Sequence, residues 1–72
     1  MQVRDREALR AYIRLAGLSE RSLAHRAGIG HATVNHLLSG RRTTCSADTA
    51  VAIAAVLECP PFVFFGSAES HP

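Results

Sequence analysis

The chain has 72 residues, enough for one domain with a small core and too few for two. Its 47% hydrophobic and 19% charged composition excludes a disordered polymer, and its longest apolar run, Ala50 to Leu57, is too short to cross a bilayer. The net charge of +2 is unevenly spread: residues 1–44 carry eight Arg against Asp5, Glu7 and Glu20, net +5, while residues 45–72 carry only Asp48, Glu58 and Glu69, net −3. Such asymmetry points to an anionic partner on one side, with nucleic acid the first candidate.

Residues 5–16 place Leu9, Ile13 and Ala16 at i, i+4 and i+7, with Tyr12 beside them and Arg6, Arg10 and Arg14 on another face. This spacing predicts an amphipathic first helix, opened near Asp5 and closed by Gly17. Ser19 then caps a two-turn segment, Glu20 to Ala27, that Gly28 stops. Ile29 plugs the corner and Gly30 opens a third helix over about His31 to Ser39. Val34, Leu37 and Leu38 face the second helix, leaving His31, Ala32, Asn35 and His36 outward. Gly40 ends this helix, and the loop Arg41-Arg42-Thr43-Thr44-Cys45 leads to Ser46, the expected N-cap of a fourth. That fourth segment, Ala47 to Leu57, is nearly all small or apolar, with Ala50, Ile53, Ala54 and Leu57 on one stripe and Val51 close to it. It is expected to be central and largely buried. Pro60 and Pro61 close it, Pro61 starts a short fifth turn, and residues 67–72 read as a flexible tail after a domain spanning 1–66.

The N-terminal residues show no secretory signal, and two cysteines, Cys45 and Cys59, form at most one bridge. Small secreted scaffolds usually carry several, so free thiols and a cytoplasmic location are expected.

The stretch Ser19 to Gly40, SERSLAHRAGIGHATVNHLLSG, joins two short helices at a glycine corner. It resembles the Cro/CI, lambda-repressor-like (XRE-type) helix-turn-helix family. Leu23, Ala24, Ala27, Gly28, Ile29, Val34 and Leu37 match its packing positions, and Gly40 matches the glycine that ends its recognition helix. Ile53-Ala54-Ala55-Val56-Leu57 is similar to the family's fourth helix, so the resemblance covers roughly residues 8–65. It implies an all-α, five-helix bundle and a double-stranded DNA operator as partner, the function being that of a repressor of phage or bacterial origin. Three departures stand out. Glu58 replaces a frequent Gly, Glu20 stands where a neutral side chain often meets the DNA backbone, and Pro61-Phe62-Val63-Phe64-Phe65 is unusually apolar.

Physical chemistry supports the same expectation. A helix in the major groove needs a thin tip and hydrogen-bonding groups on its exposed face. Asn35 can pair with adenine N6 and N7, His31 or His36 can donate to guanine, and Ala32 can touch a thymine methyl. These four are the expected base readers, whereas His25 lies away from the tip. Arg41 and Arg42 follow the helix directly and can grip phosphate, with Thr43 and Thr44 adding neutral contacts. Ser19 and Arg21 complete the expected backbone set, and Thr33 either bonds a phosphate or caps its own first turn.

The resemblance makes Phe64 and Phe65 lids on the core. Phe62 and Val63 then either cap the core as well or form a contact patch for a second subunit, which would give a C2 dimer and a palindromic operator. No cofactor, metal, membrane or small-molecule substrate is expected: the His and Cys spacing has neither a paired CxxC nor an HxxxH, and so short a helical chain offers little concavity for catalysis. The rival function is a helix-turn-helix fold used to capture another protein, as in an antitoxin or a phage factor acting on a host protein, and it would work through the apolar Phe62 and Val63 rather than the arginines.

Overall fold

The computed structural model describes residues 1–66, so the tail expected over 67–72 lies outside the described residues. Four α-helices, α1 (Arg6–Leu15), α2 (Glu20–Ala27), α3 (His31–Ser39) and α4 (Ala47–Val56), are followed by a single 3-10 turn, Pro61–Val63. Two short strands, β1 (Gln2–Val3) and β2 (Phe65–Gly66), pair antiparallel with Val3 opposite Phe65.

Local signals set the helix ends. Asp5, Ser19 and Ser46 each accept from a backbone N–H three residues on, Ala8, Ser22 and Thr49, satisfying donors that a helix start leaves free. At the end of α2, Gly28 has φ +71°, its N–H reaches His25 O, and Ile29 N–H returns to Ala24 O. This is the paired closure that favours glycine, and it turns the chain sharply into α3.

The five-helix expectation is corrected to four helices and a turn. α4 has already closed at the left-handed Glu58, Pro60 and Pro61 open only a single 3-10 turn, and the chain leaves that turn after three residues to pair with β1. β1 has no periodic signal in the sequence, yet it and Met1 before it also bond the loop before α4: Val3 N–H donates to Thr43 O at 2.9 Å and Cys45 N–H to Met1 O at 2.7 Å.

The core joins Leu9 and Ile13 of α1, Leu23 and Ala24 of α2, Val34, Leu37 and Leu38 of α3, Ala50 and Ile53 of α4, and Phe64 and Phe65. The two phenylalanines are fully buried as lids, Phe64 meeting Tyr12 edge-to-face with ring centroids 4.9 Å apart. Two expected apolar positions are open instead. Ala16 is exposed beyond the end of α1, and Val51 is 54% exposed on α4, where Ala47 and Ala55 share its outer side. The number of layers in so small a domain does not suffice to enclose α4 on all sides. No helix among the described residues is long and apolar enough to cross a membrane.

Candidate nucleic-acid interface

The α2–α3 corner presents one side of α3 to solvent. His31, Ala32 and Asn35 are exposed, His36 and Thr33 are half-buried, and Val34, Leu37 and Leu38 are turned into the core. Arg21 on α2 and Arg41, Arg42, Thr43 and Thr44 after α3 are all exposed. Arg42 N–H donates to His36 O at 3.0 Å, which ties the arginine loop to the last turn of α3. The bonds of Val3 to Thr43 and of Met1 to Cys45 hold the other end of that loop.

Ser19 is placed differently from a free contact residue. Its hydroxyl accepts from Ser22 N–H at 3.1 Å and donates to Ser22 Oγ at 3.0 Å, so it is engaged in capping α2. Thr33 N–H goes to Gly30 O, and Gly30 itself supplies no side-chain cap to α3. His25 is exposed on α2, beside Arg21, Ser22 and Arg26 around a shallow hollow. Phe62 is 66% exposed, whereas Val63 is half-buried against the core, so the apolar patch expected from the two narrows to Phe62.

Two tertiary contacts around α3 have no local signal in the sequence. First, Arg6 and Arg10, one turn apart on α1, donate to the terminal carbonyls of α3: Arg6 Nε to Leu37 O at 3.2 Å and Arg10 Nη2 to Leu38 O at 2.6 Å. These guanidinium groups satisfy acceptors that a helix end leaves free, and they place positive charge at the negative end of the α3 dipole. Second, Glu20 in the first turn of α2 lies against α3. It accepts from Asn35 Nδ2 at 3.1 Å, and the same oxygen is 3.8 Å from His31 Nε2. The regular spacing of Arg6 and Arg10 was visible in the sequence, but nothing local showed that α1 crosses the end of α3.

Cys45 and Cys59 are both free. Burial pushes both thiols up from their ordinary range, and at Cys45 the nearby terminal ammonium partly opposes that rise. Among the described residues no group of three or more His, Cys, Asp or Glu side chains gathers as a metal site.

A helix-turn-helix family model matches residues 9–64. No curated protein and no solved structure matches the chain. With the match spanning α1 to the buried Phe64, the chain belongs to the XRE-type, lambda-repressor-like helix-turn-helix family of DNA-binding domains.

Proposed function

We propose that this domain is a sequence-specific regulator of transcription that lays α3 in the major groove of a double-stranded operator and represses by occupying it. The observation that carries this reading is the exposure of His31, Ala32 and Asn35 beside an arginine loop that is bonded to the same helix through Arg42 and His36. In this reading His31, Ala32, Asn35 and His36 read base edges. Arg21, Arg41, Arg42, Thr43 and Thr44, with Thr33 at the edge and Ser19 once its hydroxyl turns away from Ser22, contact the sugar-phosphate backbone and supply affinity without choice. A Cro/CI-like repressor of phage or bacterial origin, acting in the cytoplasm, is the specific form proposed.

Exposed Phe62 favours a second subunit on the same domain, giving a C2 dimer with two α3 helices about one DNA turn apart and a palindromic site. The same residue supports the alternative of a protein-capturing module. Selection of bound duplexes from a random pool separates the two: a recurrent sequence supports the operator reader, and recovery of no sequence preference contradicts it.

A further inference from the structure

Glu20 is the acidic side chain that meets the outward face of α3, where it bonds Asn35 and approaches His31 through one oxygen. A carboxylate only accepts hydrogen bonds, so Asn35 must turn its NH2 group toward α2. The reversed amide would set the carbonyl of Asn35 against the carboxylate, acceptor facing acceptor. A side chain whose two amide orientations are otherwise nearly equal in shape is therefore held in one of them.

That orientation limits what the pair can offer a ligand. Asn35 retains its carbonyl Oδ1 and a second N–H on Nδ2, and Glu20 retains its other oxygen. Acceptors outnumber donors. In the major groove adenine and cytosine carry an exocyclic amino group, N6 and N4, whereas guanine and thymine carry the acceptors O6 and O4 in the comparable place. A negative acceptor group favours the first kind and repels the second.

We infer that Glu20 is a specificity-determining residue, which fixes the amide of Asn35 and restricts this part of the surface to a base bearing an amino group, adenine or cytosine. The inference rests on the proposed reading of Asn35 as a base reader. Glu20 also stands in the repulsive field of the phosphates, so it lowers affinity for every duplex while sharpening choice among them.

The test uses four duplexes that differ only in the base pair at the step where Asn35→Ala relaxes selection. The wild type is expected to prefer the two pairs that place the amino base on one strand, A·T and C·G over T·A and G·C or the reverse, by about ten-fold or more. In Glu20→Gln the new amide can accept or donate, so both orientations of Asn35 become available. The preference should then shrink to within about three-fold, a change of under 1 kcal/mol between the pairs, while affinity for all four duplexes rises. Glu20→Ala, which removes the partner altogether, should shrink the preference similarly, and circular dichroism melts check that both variants fold. If Glu20→Gln keeps the wild-type order and ratios, or if the wild type sorts A·T from G·C pairs regardless of strand, the role of Glu20 is overturned while DNA reading by Asn35 stands. If Asn35→Ala relaxes selection at no step, base reading by Asn35 falls and this inference falls with it.

Discussion

Arg10 of α1 donates to the carbonyl of Leu38 in the last turn of α3 at 2.6 Å, with Arg6 bonded to Leu37 one residue earlier. The first helix thereby fixes the helix that carries the outward polar face, although neither arginine lies on that face. Arg10→Met keeps the apolar stem and removes the charged donor. It should lower stability toward the small end of about 1.5–3 kcal/mol, because Arg10 Nε is itself buried without a partner among the described residues and so offsets part of the gain. Urea unfolding measures this, and a loss under about 0.5 kcal/mol, the range of an ordinary surface change, would show that the contact does not anchor α3.

Gly28 and Gly40 both have positive φ, +71° and +87°, but different surroundings. A Cβ at Gly28 meets nothing within 4 Å, whereas one at Gly40 comes within 3.2–3.4 Å of the Arg6 guanidinium. Gly28→Ala should cost about 1–2 kcal/mol from backbone conformation alone. Gly40→Ala should cost more, since Arg6 must give way and loosen its bond to Leu37. Thermal melts that rank the two variants in the opposite order would exclude this account of Gly40.

Glu58 is the non-glycine residue with positive φ, +56°, among the described residues, and it closes α4 with the same paired bonds that Gly28 makes for α2: Glu58 N–H to Ala55 O and Cys59 N–H to Ala54 O. A side chain at such a position is strained. Glu58→Gly should stabilise the domain by roughly 0.5–1 kcal/mol, raising Tm by several degrees. An unchanged or lower Tm would mean that Glu58 makes a compensating interaction.

Phe62 is largely exposed and Phe64 is fully buried. Phe62→Ser should therefore leave the stability of the monomer, read at concentrations too low for dimerisation, within about 0.5 kcal/mol, whereas Phe64→Ala should cost about 3–5 kcal/mol. Sedimentation of the wild type beside Phe62→Ser tests the proposed dimer. A dimer that dissociates in the variant agrees with it, and a monomeric wild type ends it.

The helices were legible in the sequence because their ends are written locally: Asp5, Ser19 and Ser46 at the starts, Gly17, Gly28 and Gly40 at the stops. The outward placement of His31, Ala32 and Asn35 followed from the spacing of Val34, Leu37 and Leu38. What was hidden depends on tertiary approach. Arg6 and Arg10 reach carbonyls 31 and 28 residues away, and Glu20 meets Asn35 across 15. Strands of two residues carry no period, so the pairing of Val3 with Phe65 left no trace. Val51 was misplaced for a related reason: in a helix of nearly uniform apolar character, periodicity has no contrast with which to mark the open side.

The most direct test of DNA reading through α3 is a salt titration of a selected duplex, and of duplexes altered from it one base pair at a time, with the wild type, Asn35→Ala and Arg41→Ala. The wild type should give a log–log slope on the order of −4 to −5 per bound protomer. Arg41→Ala should shrink that slope by about one and weaken all sequences alike, whereas Asn35→Ala should keep the slope and lose roughly 1–3 kcal/mol at a single base pair. If Asn35→Ala binds the selected and altered duplexes as the wild type does while Arg41→Ala is weakened, α3 does not read bases through Asn35 and the account is contradicted.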